Sequence, residues 1–178
     1  MSTLRLQRLQ PHQHDCAGFD CGEPRVDAFL QQRADRHSRE GLSTTHVLTD
    51  SGLDDPGQII GFYTLAPATV QPIDASPAAA VRLAKLAVAH QFQGRGHGRL
   101  LLAAAVARCL QMRALGIRAL IADVLNAGAA RFYREHGFRP IASNAMTLYL
   151  ALPAIRADAG PATADPLQTH PNTRKSID

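Results

Sequence analysis

The stretch VAHQFQGRGHGRLLL, Val88 to Leu102, decides how the rest of the chain is read. Gln93, Gly94, Gly96 and Gly98 interleave with Arg95, His97 and Arg99, directly before a run of leucines and alanines. A helix N-terminus carries about half a positive charge and several unpaired N–H groups. Glycines let such a backbone curl close around anionic oxygens, so this turn suits a pyrophosphate.

Three kinds of site use that device. A Walker A loop requires G-x-x-x-x-G-K-[ST], and this stretch has no lysine followed by serine or threonine. A dinucleotide-binding turn requires G-x-G-x-x-G, whereas here the glycines run G-x-G-x-G and position 101 is leucine. The third is coenzyme A: QGRGHG reads as Q-x-x-G-x-G through Gln93, Gly96 and Gly98, and in this context resembles the acetyl-CoA loop of the GCN5-related N-acetyltransferases.

Outward from the turn, RLAKLAVA (Arg82 to Ala89) predicts the strand that leads in, and Arg99 to Leu115 a helix with Leu102, Val106 and Cys109 on one stripe, closed by Gly116. RALIADVL, ending at Leu125, predicts a buried strand. Asn126 then caps a helix from Ala127 to His136, and Gly137 ends it. FRPI and MTLYLAL predict two final strands.

Upstream, Thr3 to Leu9 alternates weakly as a strand. From Pro24, Val26, Phe29, Leu30 and Ala34 recur at helical spacing, which predicts one amphipathic helix closed by Gly41. TTHVLTD and QIIGFYTLA flank the turn-forming SGLDDPG and predict an antiparallel hairpin. Pro67 to Ala80 contains three prolines, cannot hold a regular helix throughout, and predicts a connection with room for a short strand. The tail from Pro153, with four prolines and few large apolar groups, is expected to be flexible. Residues 1–152 are then one folded domain and 153–178 an appendage.

With 178 residues, 46% of them hydrophobic, the chain has room for one domain with a proper core. It lacks an N-terminal apolar leader and any run of the ~18 apolar residues that span a membrane, so a cytoplasmic protein without membrane contact is expected. Cys16, Cys21 and Cys109 have no framework spacing and are expected as free thiols. HQHDCAGFDC gathers His12, His14, Cys16 and Cys21, but a second ligand pair at zinc spacing is missing, and no metal is assigned. A net charge of +4 is compatible with an anionic ligand and does not demand one.

QGRGHG, followed after a helix and a strand by NAGAARFYREHGF (Asn126 to Phe138), resembles the GCN5-related N-acetyltransferase (GNAT) superfamily, with its "N…A…FYEKxGF" ending. The resemblance implies an α/β fold whose central mixed, mostly antiparallel sheet splays two parallel strands around acetyl-CoA, with helices on its faces. It implies that backbone groups of Leu86 and Val88 meet the pantetheine arm, and that Gln93 and the amides of Gly94, Arg95, Gly96, His97, Gly98 and Arg99 hold the pyrophosphate. Asn126 and Phe132 would line the far side, and Tyr133 would be the catalytic general acid at the sulfur. His97 departs from the pattern, which more often has an apolar residue there.

The N-terminal half, FDCGEPRVDAFLQQRADRHSREGLSTTHVL with GFYTLAPATV and RLAKLAVAHQFQGRG, is similar to the acetyltransferase toxins of bacterial toxin–antitoxin pairs, over about Leu4 to Leu152. That implies an aminoacyl-tRNA whose α-amine is acetylated, a ribbon-helix-helix antitoxin as partner, and room for a homodimer. Arg36, Arg39, Arg82 and Lys85 are candidates for tRNA phosphates or for plain solvated surface. No general base is evident; His90 and Asp123 are weaker candidates, and an α-amine with a reference pKa near 8 needs little help. Two alternatives stay open on the residues: acetylation of a small amine or a protein N-terminus, and a non-catalytic acyl-CoA-binding module.

Overall fold

A computed structural model describes residues 3–70, 77–141 and 144–153. In chain order it contains β1 (Leu4–Arg8), α1 (Pro24–Gln32), α2 (Ala34–Arg39), β2 (Thr44–Asp50), β3 (Gly61–Val70), β4 (Ala78–Val88), α3 (His97–Gln111), β5 (Ala119–Asp123), α4 (Ala127–Glu135), β6 (Arg139–Ile141) and β7 (Asn144–Ala151). The strands form one sheet in the order β1-β2-β3-β4-β5-β7-β6. Neighbours run antiparallel except β4 and β5, which are parallel and joined by the α3 crossover. This is the expected mixed, mostly antiparallel sheet. The expected flexible tail lies, beyond Pro153, outside the described residues.

The core follows from the apolar pattern. Helix α3 buries Leu101, Leu102, Ala105 and Cys109 along one face and packs on β3 and β4. Tyr63 faces this helix, its hydroxyl accepting from Arg108 (3.3 Å), while Phe62 on the other face of β3 meets Phe19 edge-on at 5.2 Å; both rings, with Leu120 and Leu148, have 0% exposure. Each large side chain buried this way contributes about 1.5–3 kcal/mol, which offsets the entropy of ordering the chain.

Two expectations are corrected. The single helix expected from Pro24 to Gly41 is two, interrupted at Arg33, whose backbone sits at φ −125° and ψ −29°. The apolar positions Val26, Phe29, Leu30 and Ala34 are nevertheless all buried, because periodicity reports the buried face and is blind to one interrupted residue. In place of a connection with a short strand, the described parts of Pro67 to Ala80 extend two long strands: β3 runs on to Val70 and β4 starts at Ala78, paired from Leu65↔Leu83 to Val70↔Ala78. A proline is tolerated there because the ladder with β2 stops at Thr44↔Leu65, leaving Pro67 with a strand on only one side.

The feature that makes the site lies in β4. Thr64 pairs with Lys85 and Leu65 with Leu83, so Ala84 is an extra residue, a β-bulge. The parallel ladder with β5 runs from Ala80↔Ala119 to Leu83↔Ala122 and stops at that bulge. A bulge bends its strand and sharpens the twist, so the two strands part.

Candidate active site

Past Leu83, β4 has no strand partner on its β5 side among the described residues, while Val124 just beyond β5 stays tied to the other half of the sheet by its N–H to the Met146 carbonyl (2.9 Å). The gap is a groove of about 740 Å³. Ala84 to Val88 form one wall, Leu125, Asn126 and α4 the other, and Cys21, Glu23 and Val26 at the start of α1 close a third side. The Ala89 N–H donates to the Ile60 carbonyl (2.8 Å), toward β3. Backbone groups alternate along a strand, so the N–H groups of Leu86 and Val88 point the other way, into the groove. These are the two residues of this strand that the resemblance assigns to the pantetheine arm.

The glycine-rich turn adjoins the end of β4. Gly94 and Gly96 have φ of +75° and +85°, a backbone region that strains any residue with a Cβ. Gly96 is the N-cap of α3 and no side chain caps this end. The first helical bond is from Leu100 N–H to the Gly96 carbonyl (3.1 Å), so the amides from Gly94 to Arg99 have no backbone partner among the described residues. The helix dipole and these free donors converge on one spot. Arg95 lies 5.6 Å from the Phe92 ring centre and His97 meets the same ring edge-on at 6.5 Å. A methyl group on Gly98 would touch Phe132 at 3.8 Å and Val88 at 3.9 Å, ordinary contacts that would still narrow the groove. Arg99 is exposed.

Gln93 sits differently from its neighbours. Its Nε2 donates to the Val88 carbonyl (2.9 Å) and to the Cys21 carbonyl (3.0 Å). It ties the end of β4 to the loop before α1, a bracing role that the motif alone did not disclose.

On the far wall, Asn126 Oδ1 accepts the Ala129 N–H (2.8 Å) and caps α4 as expected. That cap fixes the helix carrying Phe132 and Tyr133, which both line the groove. Tyr133 packs between Phe132 (5.3 Å) and Phe138 (5.2 Å) and is 8% exposed. Its hydroxyl makes no hydrogen bond among the described residues, and burial pushes its pKa up to about 12. The phenol therefore keeps its proton throughout the physiological range.

Of the weaker base candidates, Asp123 lines the groove but is engaged: it pairs with Arg82 and accepts from Thr147 Oγ1 (2.9 Å). His90 is exposed and lines a separate cavity with Asp15, Asp20 and Gln58. The other histidine and cysteine cluster is also dispersed. His14 is buried and its Nδ1 accepts the Gln10 N–H (2.9 Å), while its Nε2 meets the Gln7 side-chain amide (2.6 Å). Burial lowers the His14 pKa, and His12 adds to the effect. Sequence reasoning missed Glu23 and Cys21 in the groove wall. The folded chain brings the loop before α1 there, held by the Gln93 bond to the Cys21 carbonyl, and nothing in their local sequence signals it.

A groove between parted parallel strands, with free amides at a helix start and a buried phenol opposite, defines an acyl-CoA-type transferase site. The family model for the acetyltransferase (GNAT) domain matches residues 43–140, and the chain belongs to the GNAT acetyltransferase family. A tRNA-acetylating toxin of Mycobacterium tuberculosis (strain ATCC 25618 / H37Rv) is 32% identical over 90% of this chain and 99% of its own length. Among solved structures, the toxin AtaT complexed with acetyl-methionyl-tRNAfMet matches with a TM-score of 0.74 at 27% identity, over 84% of this chain and 95% of that one. A mutant of AtaT bound to the C-terminus of the antitoxin AtaR and to acetyl-CoA also gives 0.74, at 28% identity, over 83% and 92% of the two chains. No helix among the described residues is long and apolar enough to cross a membrane.

Proposed function

We propose that this chain moves the acetyl group of acetyl-CoA to the α-amine of an aminoacyl-tRNA, as the toxin of a toxin–antitoxin pair acting in the cytoplasm. The observation that carries the chemistry is the juxtaposition, across one groove, of the free Leu86 and Val88 amides and the unengaged Tyr133 hydroxyl. The acceptor class rests on the relatives that acetylate or bind charged tRNA.

In this reading residues 1–152 are the catalytic domain and 153–178 an appendage to it. Bound acetyl-CoA supplies an acetyl thioester open to attack by an amine. The amides of Gly94, Arg95, Gly96, His97, Gly98 and Arg99 hold its pyrophosphate, and the open β4 edge at Leu86 and Val88 aligns the pantetheine. The Val88 N–H stabilises the oxyanion that develops at the carbonyl. Phe132 and the capped turn at Asn126 shape the opposite wall. Tyr133 Oη holds a proton where a departing sulfur needs one, by hydrogen bond or transfer. Gln93 keeps the turn, β4 and the loop before α1 in register.

No dedicated base is required, since an α-amine near pKa 8 is partly neutral at cytoplasmic pH. A complex of a related toxin with its antitoxin supports an antitoxin partner. We extend the proposal to a ribbon-helix-helix antitoxin and to a homodimer of this chain.

The test is to incubate purified protein with radiolabelled acetyl-CoA and a pool of charged tRNAs, then map the label. Label on the aminoacyl α-amine is expected. Label appearing on small amines or protein N-termini, with charged tRNA untouched, overturns the acceptor and keeps the acetyltransferase. Acetyl-CoA binding without transfer to any amine would make this a binding module.

A further inference from the structure

A second cavity, of about 480 Å³, lies at the end of α3 away from the glycine-rich turn, between that end and the strands β1 to β4. Helix α3 is 15 residues long, so its two ends are about 22 Å apart, and this cavity is not the place of the donor's phosphates.

One row of the sheet furnishes its polar side. Arg8 pairs with His46 across β1 and β2, and His46 with Tyr63 across β2 and β3, so the three side chains stand on one face. The His46 ring stacks on Tyr63 at 5.1 Å, and the Tyr63 hydroxyl accepts from Arg108 Nε on α3 (3.3 Å). Arg8, at the exposed rim, and the half-buried Arg108 both line the cavity, and the charge of each is felt at His46. No carboxylate stands in the lining, and neither guanidinium has a carboxylate partner among the described residues.

Two further polar groups in this wall are unsatisfied. His46 and Ser43 are 4% and 7% exposed, and His46 Nδ1 and Ser43 Oγ are shielded from solvent with no hydrogen-bond partner among the described residues. Unpaired buried polar atoms are rare in folded proteins, and two beside a cavity mark a place where a further partner belongs. The rest of the lining is apolar, with Leu65 and Val81 from the sheet and Met112 and Ile117 from the chain that follows α3. A mostly apolar recess with a few convergent polar groups is the usual form of a small-molecule site. Bare phosphate would leave the apolar wall wet, and an uncharged apolar molecule would leave two guanidiniums without an anion; a carboxylate on an aliphatic body suits both ends.

We propose that this cavity binds a small aliphatic carboxylic acid, its carboxylate held by Arg8 and Arg108 beside Ser43 and His46, and its body laid along Leu65, Val81 and Met112. The site is separate from the acetyl-CoA groove and does not depend on which amine is acetylated.

The experiment titrates the full chain with sodium octanoate by calorimetry, with and without saturating acetyl-CoA, while NMR follows the ring signals of His46 and Tyr63. Saturable binding that shifts both rings and persists with acetyl-CoA bound is expected. Arg8→Gln and Arg108→Gln should each weaken it roughly tenfold with the melting curve kept. Arg8→Gln, on the exposed edge strand, keeps the test valid even where losing Arg108 disturbs the Tyr63 contact. Acetate lacks the body and octylammonium reverses the charge, so both should bind at least about tenfold more weakly than octanoate. The proposal is overturned if octanoate leaves both rings unmoved, or if inorganic phosphate binds as tightly. It is overturned as well if acetyl-CoA displaces octanoate, which would put the acid in the pantetheine groove, or if Arg8→Gln and Arg108→Gln both keep the parental affinity.

Discussion

In the proposed reaction, Tyr133 is the residue on which the chemistry turns. With its pKa at about 12 it is a reluctant acid in bulk terms, but its proton is always present and its ring is already ordered between Phe132 and Phe138. Tyr133→Phe removes one oxygen and keeps the packing, so acetyl-CoA affinity should survive while kcat falls roughly 10²–10⁴-fold. A purified, folded phenylalanine variant with parental kcat would make the residue structural. The pH profile offers a second check. Tyr133 stays protonated on the way up to about 12, so kcat/KM should rise through the α-amine's own pKa near 8 and then level, with no falling limb from the phenol below pH 10. Of the residues named from the resemblance, Leu86, Val88, Gly98, Asn126, Phe132 and Tyr133 line one groove; that placement was legible because the two motifs keep a fixed order and spacing, while their roles belong to the proposal. Gln93 was legible by position but not by role, because its partners, Cys21 and Val88, meet only in the folded chain.

At the scale of single elements, helix α4 depends on its first residue more than on its interior. It is nine residues long, too short to be stable alone, and Asn126 supplies its only side-chain cap. Asn126→Ala should therefore cost about 1 kcal/mol and lower the melting temperature by several degrees. Because the same helix carries Phe132 and Tyr133, kcat should fall with it. A variant with unchanged melting temperature would show that tertiary packing alone sets the helix. The elements most misread from sequence are those whose shape is imposed by neighbours. The interruption at Arg33 leaves the apolar spacing of Val26, Phe29, Leu30 and Ala34 intact, and Pro67 sits in a strand because its pairing with β2 stops at Leu65. The bulge at Ala84 has no residue signature at all, since alanine is compatible with either register.

For the molecule as a whole, acid should be a stronger denaturant than the carboxylates alone would make it. His46 is buried, stacks on Tyr63 at 5.1 Å, and has its pKa lowered to about 4 by burial, with Arg108 and Arg8 contributing. Its unfolded value is 6.5, so below that pH the unfolded chain takes up a proton that the folded chain refuses. Stability should be intact above pH 6.5, decline as pH falls to about 4, and lose roughly 3 kcal/mol in total from this group. Thermal melts across that range check it: His46→Gln should flatten the slope, and an equal slope in the variant would place the acid sensitivity elsewhere.

The four rungs between β4 and β5, from Ala80↔Ala119 to Leu83↔Ala122, are the only strand pairing that joins β1–β4 to β5–β7 among the described residues. A short zipper that opens straight into the groove is where the sheet should breathe, and isotope exchange reads such breathing amide by amide. A molecule lying between the parted strands clasps both halves and closes that zipper from its open end. Adding acetyl-CoA should thus slow deuterium uptake at Ala119–Ala122 as well as at the amides it touches, making the donor a transient staple between two half-sheets. Protection confined to residues 86–99 would show instead that the halves are already locked together without it.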